Sequence, residues 1–139
     1  MQPTPSPSSQ YGIALLRLSL GTMWIAHALL KLMVFTLPGT AGFFQSVGYP
    51  GWLAYPVFAI ELLGGLALVL GVYARQVSLA LTPVMLAAAF VHFGNGWVFS
   101  NPQGGWEYPI FLALASVVLY LVGDGALAMR SSKRFAPAV

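Results

Sequence analysis

Arg17, His27 and Lys31 lie inside one stretch that otherwise reads as a membrane span, and Glu61 lies inside the next. Side chains of these types donate hydrogen bonds, hold anions and carry protons. A charge at the centre of a lone span costs about 2.5 kcal/mol or more, so lipid-facing positions are disfavoured. These groups should face a protein interior or a wet cavity, and should find one another. Wound as a helix at about 100° per residue, the first stretch sets His27 and Lys31 about 40° apart, with Arg17 within roughly 80° of both. Leu20 and Trp24 share that arc, so one face carries the polar groups and is expected to pack inward.

Depth sharpens the grouping. At about 1.5 Å of rise per residue, His27 falls roughly 12 Å below the outer end of the first helix. Glu61 reaches a similar depth on an oppositely directed second helix, and Lys31 is shallower. His92, near the outer end of a third helix, and Glu107, at the outer start of a fourth, join the layer. Arg17 is the outlier, toward the opposite side. His27, Lys31, Glu61 and Glu107 are the candidate proton-handling and hydrogen-bonding set. Arg17, Trp24, His92 and Trp106 are the candidate ligand-holding set. Plainer roles compete for each residue. Glu61 can neutralise Lys31 or Arg17 as a structural pair, and Lys31 can reach the surface along its stem. His27 and His92 can be core histidines, Glu107 can cap a helix, and the tryptophans can be packing or belt residues.

Composition fixes the class. Of 139 residues, 58% are hydrophobic and 6% charged, and the mean hydropathy is +0.80. A soluble domain carries about a quarter charged residues, so this is an integral membrane protein. The net charge of +3 comes with no basic stripe, and no nucleic-acid partner is expected. Cysteine is absent. That excludes disulfides, thiol redox pairs, iron–sulfur ligation and thiolate zinc sites, and no metal site is expected. If electrons pass through this chain, a diffusible cofactor or a partner must carry them.

The elements that must position these groups follow from the apolar runs. Residues 1–10 read as a disordered, proline-rich tail, 11–124 as the membrane domain, and 125–139 as a basic tail with Arg130, Lys133 and Arg134. Apolar runs cover 11–36, 53–72, 76–93 and about 109–123, which predicts an all-α bundle of four transmembrane helices. The segment 37–52 is too broken for a span and too apolar for a free loop, so it is read as interfacial or re-entrant. Pro83 is expected to kink the third helix, and Pro109 suits the first turn of the fourth. Gly64 and Gly65 permit close approach of a neighbouring helix or ligand. Ala26-His27-Ala28 mimics a signal-cleavage site, but the apolar run continues past it, so cleavage is not expected. Arg75, Arg130, Lys133 and Arg134 fall on one side, while 37–52 and 94–107 hold no Lys or Arg. The asymmetry predicts cytoplasmic termini, with Trp52, Tyr55, Trp97, Trp106 and Tyr108 forming an outer aromatic belt.

The stretches LLRLSLGTMWIAHALLKL (15–32), AIELLGGLALVLGVYAR (59–75) and GGWEYPIFLALA (104–115) resemble the DoxX family of small four-span membrane proteins. The likeness covers most of 12–124. It departs where the family commonly has His-Gly and this chain has His27-Ala28, a small residue still. What the resemblance implies is membrane-bound redox chemistry in a bacterial or archaeal cytoplasmic membrane. Family relatives are subunits of a thiosulfate:quinone oxidoreductase or belong to complexes handling oxidative and thiol stress.

Four functions are therefore expected to compete. A quinone-linked redox subunit would use His27 and Lys31 toward the carbonyl oxygens, Glu61 and Glu107 for protons, and Trp24 or Trp106 against the ring. A soluble or membrane partner protein would supply the electrons. A haem b carrier would use His27 and His92 as axial ligands. A small-solute transporter would draw an anion toward Arg17 and Lys31. A non-catalytic scaffold or anchor for a partner enzyme would need only structural ion pairs. Homo-oligomerisation through small-residue faces is compatible with each.

Overall fold

The computed structural model describes residues 6–132, which are helical apart from short turns, one longer connection and a folded-back C-terminal segment. Helix α1 runs Pro7–Leu29 and α2 Leu37–Ser46. Helices α3, Ala54–Leu70, α4, Ala74–His92, and α5, Glu107–Val122, follow. Three stretches are long and apolar enough to cross a membrane: Pro7–Val34, Gly51–Leu70 and Ala74–Asn95. Helix α5 is equally apolar but has 16 residues. At about 1.5 Å per residue it falls short of a hydrocarbon core roughly 30 Å thick.

The first helix starts earlier than the composition predicts. Residues 7–10, read as disordered tail, form its first turn, because the Ser6 hydroxyl accepts the Ser9 N–H at 3.3 Å and Pro7 sits at the start. A serine cap with proline just inside is a strong helix start. The far end departs too. Residues Leu30–Val34 form a π-helical turn, closed by the Phe35 N–H on the Leu30 carbonyl at 3.0 Å. Helix α4 stays helical through Pro83.

Helices α1 and α3 pair antiparallel, as do α4 and α5, and α3 and α4 join the two pairs. The α1–α3 crossing is set by glycine. A Cβ on Gly65 would lie 3.0 Å from the Gly21 carbonyl oxygen, and one on Gly21 would lie 2.9 Å from the Gly65 carbonyl oxygen. Gly64 receives the Leu81 side chain from α4. The small residues at 64 and 65 are thus used inside the chain. Leu20, Trp24, Leu68, Leu81, Met85, Leu112 and Leu119 fill the core. The buried Ser78, Thr82 and Ser116 hydroxyls donate to carbonyls of their own helices at 2.8–2.9 Å, so they sit among apolar groups at little cost. Outside, Leu15, Met33, Leu63, Phe90, Phe111 and Leu121 are exposed, a surface suited to lipid. Gly65→Val should destabilise the bundle by about 1–3 kcal/mol or more, since carbonyl and backbone cannot yield as a side chain does. Gly12→Ala, with nothing within 4 Å, should be neutral or slightly stabilising. Detergent-titrated unfolding of the two variants checks the contrast.

The segment read as a basic tail is partly folded. Met129 and Arg130 donate backbone hydrogen bonds to Leu70 and Gly71, and the Tyr73 N–H returns to Arg130. Gly71, at φ +69°, makes the α3–α4 turn that receives this segment. Lys133 and Arg134 lie outside the described residues.

Candidate functional site

The π-turn carries Lys31. Its Nζ donates to both carboxylate oxygens of Glu61, at 3.0 and 2.8 Å. Glu61 is almost wholly buried on α3, and the Lys31 side chain is 16% exposed. A π-turn widens the helix and re-aims its side chains, and such turns recur at functional sites. The backbone just beyond is strained. Thr36, a β-branched residue, holds φ +61° while capping α2, its hydroxyl accepting the Gly39 N–H at 3.1 Å. Residues of this type adopt that conformation only when their surroundings impose it.

Beside the ion pair lies a cavity of about 360 Å³. Helix α2 supplies Phe43, Phe44 and Val47 to its wall, α3 supplies Val57, and α4 supplies Val84 and Ala88. Phe43, Val47, Pro83 and Ala87 are exposed at its rim. An apolar cavity of this size with a few convergent polar groups is the usual form of a small-molecule site. Here Lys31 and Glu61 are its charged lining.

His27 joins from α1. Its Nδ1 bonds the Met23 carbonyl at 2.9 Å. A carbonyl only accepts, so Nδ1 donates and Nε2 is left to accept. The ring stacks on Tyr108 with centroids 6.2 Å apart and lies within electrostatic range of Glu61. Lys31 and Glu61 are therefore brought together on the cavity, whereas His27 is not among its lining residues.

Nor is Glu107. Its Oε1 accepts the Phe99 N–H at 2.8 Å, tying down the α4–α5 connection, and it lines a separate pocket. Trp106 belongs to the same connection, packed edge-on against Trp97 at 4.5 Å and beside Phe93 at 5.4 Å. His92 receives the Asn95 side-chain amide on Nδ1 at 3.3 Å. A neutral His92 with Nδ1 accepting has its proton on Nε2, whereas a metal-bound histidine donates from the nitrogen that does not bind. The His92 arrangement does not fit axial ligation. Trp24 is fully buried in the core, so no ligand stacks on it without repacking.

Arg17 serves the opposite end. It is 1% exposed and donates to the Leu68 and Val69 carbonyls, at 2.8 and 3.0 Å, and to Ala126 at 2.9 Å. The first two are carbonyls of the last turn of α3, where partners within the helix run out; Leu68 also accepts the Gly71 cap N–H at 3.1 Å. Along α1 and the π-turn that follows it, Arg17 and Lys31 are roughly 20 Å apart. Sequence reasoning missed the α2 wall, the π-turn and Tyr108. The apolar residues of 37–52 were a signal for the wall, but nothing in LKLMV marks a π-turn.

The DoxX family pattern matches residues 12–94. That stretch carries Arg17, Trp24, His27, Lys31, Glu61 and His92 and stops before Trp106 and Glu107. A Bacillus subtilis protein described as "Putative oxidoreductase CatD" is 32% identical over 130 residues, covering 88% of this chain and 87% of its own. An uncharacterized protein of Haemophilus influenzae is 32% identical over 121 residues, covering 86% and 88%. No solved structure matches the chain.

Proposed function

This chain belongs to the DoxX family, and on that premise we propose that it is the membrane subunit of a quinone-linked redox system, acting in sulfur-compound oxidation or oxidative-stress defence. The observation that carries the reading is the Lys31–Glu61 pair set into an apolar cavity of about 360 Å³. The relative described as an oxidoreductase supports the class of chemistry.

Quinone reduction consumes two electrons and two protons. Lys31 has three N–H donors and directs two of them at Glu61, so the third is free for a ring carbonyl oxygen. Glu61 passes protons toward the oxygens, and His27, which is not among the cavity's lining residues, acts through Glu61 rather than on the ring. Phe43, Phe44 and Val84 exclude water and hold the ring. The chain has no cysteine, and a soluble or membrane redox partner delivers the electrons. Glu107, engaged by the Phe99 N–H, plays no part in this reading.

The membrane arrangement belongs to the same proposal. Helices α1, α3, α4 and the shorter α5 all cross, with local thinning of the bilayer around α5. Helix α2 is re-entrant or interfacial and roofs the cavity. Both termini face the cytoplasm of a bacterial or archaeal cell. The supporting observation is that Arg75 and Arg130 gather at one end. Arg130 pairs with the α3–α4 turn, and Arg75 lies against the end of α5, as the positive-inside rule asks.

A photoreactive short-chain quinone should label residues 43–47 and 84–91 in native membranes, and excess ubiquinone or menaquinone should suppress the labelling. Uniform labelling of exposed apolar residues, insensitive to competitor, would count against the site. One observation favours a scaffold instead: Lys31 holds both carboxylate oxygens of Glu61, as a purely structural bridge does.

A further inference from the structure

We propose that the pocket under the α4–α5 connection binds a methylated ammonium group. It is an open groove of about 340 Å³ lined by Trp97, Phe99, Tyr108 and Phe111, which are 45–67% exposed, with Glu107 among its lining residues. Aromatic faces carry negative quadrupole density and attract cations. A carboxylate beside four rings selects a positive ligand over an anion or a neutral one.

Among the described residues no cation cancels the charge of Glu107. Residues 76–129 contain no Lys or Arg. Lys31 is committed to Glu61. Among the described residues Glu107 has no ion-pair partner, and the one hydrogen bond of its side chain, from the Phe99 N–H, uses Oε1 and leaves Oε2 free. Four aromatic and two aliphatic side chains make up the lining beside Glu107. A methylated ammonium, whose methyl groups pack against such side chains while its charge meets the carboxylate, suits the site better than a primary one. Below Glu107 the α5 residues Ile110, Phe111 and Leu114 continue the lining as an apolar wall. The ammonium can thus come from a choline-type lipid headgroup, with its chain along α5, or from a soluble choline-like solute. This inference does not rest on the quinone reading, because the pocket shares no lining residue with the Lys31–Glu61 cavity.

The test is calorimetric titration of the whole chain in neutral maltoside micelles. Choline is compared with 3,3-dimethylbutan-1-ol, its uncharged counterpart of the same shape. Choline should bind saturably, and the alcohol about tenfold more weakly or not at all, since each ring contributes about two- to fivefold and the carboxylate adds to that. Glu107→Gln keeps an oxygen to accept the Phe99 N–H and removes the charge, so it should stay folded and lose about tenfold in choline affinity. Equal binding of the alcohol, an unchanged affinity in folded Glu107→Gln, or no saturable binding of choline would overturn the proposal. In nanodiscs, loss of choline binding when phosphatidylcholine replaces phosphatidylglycerol assigns the site to the lipid headgroup. Undiminished binding assigns it to the solute.

Discussion

Lys31→Met should cost the folded protein about 3–5 kcal/mol, because it leaves the Glu61 carboxylate buried without its cation. The Lys31 ammonium is the only hydrogen-bond donor that Glu61 has among the described residues, at 2.8 and 3.0 Å. The bilayer or micelle around α3 offers no substitute. Glu61→Met should cost less, since Lys31 is partly exposed and its stem lets the ammonium reach toward the interface. The double replacement Lys31→Met/Glu61→Met should recover most of the loss. Well-packed apolar side chains commonly match or exceed a buried ion pair in stability. Equilibrium unfolding in mixed micelles across this cycle should give a coupling energy of about 2 kcal/mol or more. Additive single losses would mean that the pair does not act as a unit.

Arg17→Leu should be of similar size, about 3–5 kcal/mol, by removing three charge-assisted hydrogen bonds at once. Two of them satisfy the last carbonyls of α3 and the third holds Ala126, so one side chain fastens α1, α3 and the C-terminal segment. Asp124 fixes the same segment by accepting from the Ser132 backbone and hydroxyl, at 2.7 and 2.6 Å, and from the Arg75 N–H at 3.3 Å. Hydrogen exchange should therefore rise over residues 125–130 in Arg17→Leu while α4 and α5 change little. Arg17→Lys should rescue only in part, because a single ammonium cannot span the positions reached by the guanidinium fork. Unchanged exchange over 125–130 would show that the segment holds its place without Arg17.

These two residues mark what the sequence made legible. Four apolar runs and their breaks follow from hydropathy and from proline and glycine, and the helices fall within a few residues of the predicted ends. The burial of Glu61 and its need for a cation follow from the scarcity of charge. The sequence left Lys31 and Arg17 as rival partners. The structure chooses Lys31, because α1 and α3 run antiparallel and place Arg17 at the far end of α3. Glu107 was grouped with the others by depth alone. Depth says nothing of azimuth, and its carboxylate turns to the Phe99 N–H instead. The π-turn at Leu30–Val34 has no glycine or proline to announce it. The α2 wall depends on how 37–52 folds back, which is a matter of tertiary packing that periodicity does not encode.

The central claim is that the Lys31–Glu61 pair serves a ligand as well as the fold. Its most direct test is equilibrium binding of a short-chain quinone to wild-type protein and to the folded Lys31→Met/Glu61→Met variant, side by side in the same micelles. The account predicts saturable binding to the wild type and its loss in a double variant of nearly wild-type stability. Equal binding by both, or none by the wild type, would contradict it and leave the pair a structural bridge.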